Sequence, residues 1–211
     1  GRDVLTRVVS AARIDLGIAV LATAAAFCIG VALGAAAGFT GGIADGVLMH
    51  LMEILQSIPG ILLGLLIMVL AGSGFVSLVL AVTLINIPVY ARLTRAEMLP
   101  LAGSPVVSAA HLSMVPRPKI LGLYVLPSAL ASALAYLPVQ AGFSISVAAG
   151  FGFIGVGIRP PQAEWGMMIR EGLSDLLFLN IWWPVVFPAV FLGASVLLLY
   201  TLGNLVLGRS S

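Results

Sequence analysis

The hydrophobic positions of this chain come in long unbroken runs, and its polar residues gather in the shorter intervals between them. Five runs stand out, at about 16–39, 47–71, 75–91, 128–150 and 183–207. A helix needs roughly 20 apolar residues to cross the ~30 Å hydrocarbon layer of a bilayer; the third run is the short one. None of the runs alternates apolar with polar residues, as the roughly 10-residue strands of a membrane β-barrel do. In lipid a chain must satisfy its own backbone groups, which leaves the helix. The pattern predicts an all-α polytopic membrane protein with about five spans in a single domain, 1–211. Ser57-Ile58-Pro59-Gly60 predicts a kink in the second run, and Asn86-Ile87-Pro88 a kink or an end in the third.

Two intervals carry most of the information. From Ser104 to Lys119 the chain is too polar and proline-rich for lipid, yet Val106, Val107, Ala109, Ala110, Leu112 and Val115 keep a partial helical period. Ser104 is placed to cap a short helix with Pro105 at its first position, and Pro116 and Pro118 end it. Such a helix is either a rigid docking knob or an interfacial helix lying on lipid. The second interval, 151–182, holds Gly152, Gly155, Gly157, Pro160-Pro161 and Trp165. No strand precedes its glycines and two prolines follow them, so a phosphate cradle is excluded. A tight surface or re-entrant loop anchored at the interface by Trp165 is expected instead.

Within the runs, Gly30, Gly34 and Gly38 recur every four residues on one helix face, with Ala26 extending the row. Small residues at this spacing let two helices approach closely, either as a sliding contact or as static packing within the chain. Glu53, with Asp45 and His50 nearby, opens the second run; it either lines a pathway or favours the helix dipole. Arg92 and Arg95 snorkel to phosphates or pair with a carboxylate. Gln56, Asn86, Gln140, Ser144 and Ser146 are candidates for lining a path, or for interhelical hydrogen bonds. No charged residue falls deep in a predicted span, which argues against a bare-ion path.

Composition narrows the function. Of 211 residues 61% are hydrophobic and 9% charged, and the net charge is +2. Soluble domains carry about 25% charged residues, so lipid is the natural solvent here, and nucleic acid is not an expected partner. Cys28 is the single cysteine and forms no internal disulfide. Cys28, His50 and His111 lack metal-ligand spacing, and Lys119, the only lysine, follows Pro118, so no ATP-binding P-loop exists. A serine nucleophile in Ala71-Gly72-Ser73-Gly74 lacks a later histidine base, so no catalytic residue is assigned. Basic residues do not set the orientation: Arg2, Arg7, Arg13, Arg159 and Arg170 on one side balance Arg92, Arg95, Arg117, Lys119 and Arg209 on the other.

Several motifs together resemble one family. "GRDVLTR" (Gly1 to Arg7), "GFTGGIAD" with Glu53 and Pro59, "ARLTRAEML" (Ala91 to Leu99) and "FIGVGIRPPQAEWGMM" (Phe153 to Met168) occur in the order found in the permease subunit of binding-protein-dependent ABC importers. The likeness is to the C-type subunit of the dipeptide/oligopeptide/nickel group. It implies a type I importer transmembrane domain with one further N-terminal span, in the bacterial inner membrane. It also implies no catalysis or cofactor in this chain, with ATP and Mg on partner subunits. Those partners are a homologous permease, two P-loop ATPases and an extracytoplasmic binding protein, all amid membrane lipid. The cytoplasmic coupling loop falls at 96–126 and the external loop at 151–182, with 1–13 also external. Ser108, Ala109, Ala110, His111, Leu112, Ser113 and Met114 fall on the family's ATPase-coupling helix, followed by its closing Leu126-Pro127. Ser108 stands where the family has an acidic residue and Met114 where it has glycine; Pro116 and Pro118 are also unusual there. Alternating access for peptides, nickel chelates or haem is the implied activity, and a scaffold subunit with degraded coupling is the alternative.

Overall fold

A computed structural model describes residues 3–210; Gly1, Arg2 and Ser211, and the side chains of His111, Arg209 and Ser210, lie outside the described residues. The start of the "GRDVLTR" motif and the imidazole of the coupling segment are therefore not placed. Helix α1 (Val4–Thr40) begins where the Asp3 carboxylate accepts from the backbone N–H groups of Leu5 and Thr6. Its 37 residues extend about 55 Å at roughly 1.5 Å per residue, well beyond a ~30 Å hydrocarbon layer. Gly30, Gly34 and Gly38 all face α4 (Phe75–Ala102). A Cβ at these positions would stand 2.6 Å from the Tyr90 Cβ, 2.2 Å from the Ala91 carbonyl oxygen and 2.6 Å from the Met98 Cβ. The stripe is the α1–α4 contact itself, within one chain.

Prolines act differently according to what surrounds them. Helices α2 (Gly42–Ser57) and α3 (Gly60–Ala71) meet at 87°, a break rather than the expected kink within 47–71. Pro59 disfavours helical geometry at the preceding residue, and the backbone of Ile58 is extended. Pro88, by contrast, neither ends nor interrupts α4, which continues past the expected boundary at 91 to Ala102. Asn86, Ile87, Pro88 and Tyr90 are all buried, and packing holds the helix through the lost hydrogen bond.

Beyond α4 lie α5 (Pro105–Leu112), α6 (Arg117–Ile120), a π-helical turn (Leu121–Val125) and α7 (Leu126–Ala135). The expected span at 128–150 is divided at Tyr136, where α8 (Leu137–Ile154) begins. Pro138 has no N–H to offer the Leu134 carbonyl, so one bond of the ladder is missing there. The interval 151–182 contains a helix, α9 (Trp165–Leu179), followed by α10 (Trp183–Ser210). Among the described residues every regular element is helical. Five stretches have the length and apolarity of a span: Val4–Thr40, Phe75–Ala102, Arg117–Ala135, Leu137–Ile154 and Trp183–Gly208, with α2 and α3 together forming a bent sixth. The core is distributed along the bundle. At one end Ala35, Met98, Val107, Ala110, Ile120 and Val125 pack together; at the other, Val8, Ala11, Ile145, Trp165 and Met168 do.

Candidate functional site

Helix α5 is built to be presented. Ser104 Oγ accepts from the Val107 N–H at 3.4 Å, satisfying one of the donors a helix start leaves free. Val107 and Ala110 are buried against α1, α4 and the segment from Ile120 to Ala129, which fixes one face of α5 to the bundle. The other face is uncovered: Val106, Ser108, Ala109, Leu112, Ser113 and Met114 are exposed, Leu112 by 86% and Met114 by 89%. The Ser108 hydroxyl turns back to donate to the Ser104 carbonyl at 3.2 Å.

The end of α5 has a backbone geometry that favours glycine where Met114 stands. Met114 has φ +57°, in the left-handed region. The Val115 N–H then reaches back to the Ala110 carbonyl at 3.1 Å. Many helices stop by this reversal, ordinarily with glycine at the left-handed position. Met114 forms the same stop at the cost of a strained backbone. Pro116 follows it, while Pro118 belongs to the first turn of α6 and starts a helix instead of ending one.

The candidate path residues separate into two groups. Asn86, Gln140 and Ser144 are buried and bonded to one another. Gln140 Nε2 donates to Asn86 Oδ1 at 2.7 Å, Asn86 Nδ2 donates to Ser144 Oγ at 2.8 Å, and Ser144 Oγ meets Thr23 Oγ1 at 3.0 Å. These residues clamp α1, α4 and α8 together, and Gln140 also reaches the cavity that Ser146 lines. Ser146 donates to the Gly142 carbonyl at 3.1 Å and lines a cavity of about 420 Å³ with Tyr136, Gln140, Phe143, Val196 and Tyr200. Gln56 is exposed on α2. Near the α5 end Arg95 pairs with Asp45 through two bonds, Nε to Oδ1 at 2.5 Å and Nη2 to Oδ2 at 2.6 Å, joining α4 to α2. Arg92 remains exposed.

The opposite end is packed around Trp165. Trp165, expected at the membrane interface, is 1% exposed, and its indole N–H donates to the Val8 carbonyl at 2.9 Å. Glu164 caps α9 by accepting from the N–H groups of Gly166 at 2.7 Å and Met167 at 2.8 Å. Asp15 accepts from the Trp165 N–H at 3.2 Å. Both carboxyls are fully buried, and burial pushes that of Glu164 above its ordinary range. Glycines permit this packing. A Cβ on Gly166 would stand 1.9 Å from the Ala149 carbonyl oxygen, and one on Gly152 would stand 1.7 Å from Glu164 Oε2. Arg170 lies over the turn at Gly155, whose φ is +94°.

Asp15 and Glu164 are buried neighbours to which the sequence pattern assigns no role. The pattern puts Asp15 just outside the first run, yet it lies within α1. A lone acid inside Arg13-Ile14-Asp15-Leu16, and another directly before Trp165-Gly166, are the available signals.

The model for the binding-protein-dependent transport system inner membrane component matches residues 30–210. The glutathione transport system permease protein GsiD of Pectobacterium atrosepticum is 32% identical over 97% of this chain and 67% of its own length. The di/tripeptide transport system permease protein DppC of Pseudomonas aeruginosa is 31% identical with the same coverage. A chain from inward-facing structures of the MetNI methionine ABC transporter superposes with a TM-score of 0.77. It shares 19% identity, over 99% of this chain and 96% of that one. That likeness speaks for the fold.

Proposed function

The chain belongs to the binding-protein-dependent transport system inner membrane components and is a permease subunit of an ABC importer; on that premise we propose that it carries peptide-like solutes and is driven through α5. In this reading it forms one path with a homologous permease, and two P-loop ATPases hold ATP and Mg and grip α5 from the cytoplasm. An extracytoplasmic binding protein delivers the solute. The relatives' peptide and glutathione substrates support a small peptide as cargo.

The observation that carries the coupling reading is the construction of α5: capped at one end, sharply stopped at the other, with an apolar tip fully presented. Its buried face connects through Met98 and Ile120 to α4 and to the segment leading into α7. A push on α5 is thereby delivered to helices that reach the buried polar clamp. Closure of the ATPases on ATP would move the α5 knobs of both permeases and turn the bundle between its two openings.

A scaffold subunit with degraded coupling is favoured by one feature, the Ser108 hydroxyl spent on Ser104 where the family presents an acid. Gentle extraction of the full-length protein from its own membrane, with mass spectrometry of its companions, separates the two. Recovery of a second permease together with ATPases supports an importer driven through α5. Recovery of the permease partner without any ATPase supports the scaffold.

A further inference from the structure

Helix α2 presents two uncovered faces of opposite character. With about 3.6 residues per turn, Val47, Leu51 and Ile54 fall on one side, and all three are about half exposed. Gly46, His50, Glu53 and Ser57 fall on a narrow adjacent strip, all exposed, with Gln56 on its flank. His50 Nδ1 lies 3.3 Å from Glu53 Oε2, and the two side chains are 72% and 66% exposed. The buried residue of this helix, Met52, points the other way.

The helix break lies at the end of the same strip. Ser57, Ile58 and Pro59 are exposed and close the helix at an 87° bend. The Ser57 hydroxyl donates to the Ile54 carbonyl at 2.7 Å. The Pro59 carbonyl accepts from the Leu62 and Leu63 N–H groups, but the Ser57 and Ile58 carbonyls have no helical N–H to accept from, and Pro59 has none to give. Gly60 abuts Ile85, well inside α4, so the unwound backbone is at membrane depth. Lipid tolerates neither feature: ionisable side chains in a span face a cavity or the bundle interior. Non-helical backbone at this depth is kept where protein buries it or where it lines water. The chain itself covers neither.

We infer that the His50–Glu53–Ser57 strip of α2 is a wall of the water-filled path, and that Glu53 offers its carboxylate to the ammonium or amide N–H groups of the passing solute. The inference rests on the importer reading and deepens it. The strip is rich in acceptors, with one carboxylate, one imidazole, one side-chain amide and the carbonyls of the break. That complements a peptide, whose N–H donors outnumber its charges.

The test uses the full transporter with its partner subunits in proteoliposomes, in a Cys28→Ser background. Single cysteines at His50, Glu53 and Ser57 are compared with cysteines at Leu51 and at Leu197, an exposed α10 residue. A charged, membrane-impermeant methanethiosulfonate is expected to label the three strip positions and stop uptake, and to leave Leu51→Cys and Leu197→Cys unlabelled. A strip unlabelled with and without ATP, in a complex that still takes up peptide, means that another helix covers it and overturns this inference alone. No ATP-driven uptake of any peptide by the unlabelled complex overturns the importer reading and this inference with it. For the solute contact, Glu53→Gln is expected to lower uptake of alanyl-alanine more than that of its N-acetyl form, with Glu53→Asp restoring the difference. An equal loss for both peptides overturns the contact.

Discussion

The two ends of the bundle fasten a short helix by opposite means. At the α9 end the helix is sunk: Trp165 is 1% exposed, Glu164 is spent on the cap, and Gly166 lies so close to Ala149 that no side chain fits between them. At the α5 end two small apolar residues hold the helix, and everything beyond them projects outward. The α9 end behaves as a rivet between α1, α8 and α10, and the α5 end, in the proposed coupling role, as a handle. A bundle rocked by an outside engine needs both, since a push on the handle turns the structure only if the far end stays joined.

The sharpest attack on this comparison is to loosen the rivet. Gly166→Val drives a side chain into the Ala149 carbonyl. Overpacking of that kind is expected to cost on the order of 3 kcal/mol. Gly150 has open space where its Cβ would stand. Gly150→Ala, expected to change stability by about 1 kcal/mol at most, serves as the control. Thermal unfolding of the detergent-solubilised protein compares them, and equal midpoints would show that α9 is not fixed in place. Next in size is Glu164→Ala, which removes a cap and leaves the buried N–H groups of Gly166 and Met167 without an acceptor. Losing a cap of this kind costs about 2 kcal/mol. Its pH dependence has a definite sign. Burial raises the Glu164 carboxyl above its ordinary value of 4.5, so the folded state holds this proton more tightly than the unfolded one. Stability from this group is therefore full below the unfolded value and declines as pH rises through the folded one. Glu164→Gln is expected to flatten that decline in an unfolding series taken from acid to neutral pH.

The handle is legible in the sequence and the rivet is not, for physical reasons. Ser104, Pro105 and the partial helical period around Val107 and Ala110 are local signals, and the helix they predict is the one present. The apolar runs likewise reveal an all-helical membrane fold. What a short window hides is tertiary context. Pro59, Pro88 and Pro138 look alike in sequence, yet one breaks a helix by 87°, one sits inside an unbroken helix, and one marks where α7 gives way to α8. Burial decides: Pro88 is packed on both sides, and Pro59 is exposed. Trp165 has the composition of an interfacial anchor and the environment of a core residue. Its bonds to Val8 and Asp15, from the far end of the chain, determine which.

Two smaller effects sharpen the contrast from the handle side. Met114 holds a left-handed backbone at the helix stop. Met114→Gly removes that strain while keeping the stop, and is expected to stabilise by about 1 kcal/mol. An unchanged midpoint would show that the stop does not persist in solution. Smallest of all in stability is Leu112→Glu. This side chain is 86% exposed and supports nothing in the bundle. Its replacement should shift unfolding by about 0.5 kcal/mol or less, as exposed positions do. In the proposed coupling role, the same substitution places a charge at the apolar tip, where an ATPase groove would have to desolvate it. Uptake and transport-linked ATP hydrolysis are therefore expected to fall sharply in the assembled complex, with the amount of folded permease unchanged. Loss of stability together with uptake would mean that Leu112 is packed and that α5 resembles α9 after all. Loss of uptake alone separates what holds the bundle together from what moves it.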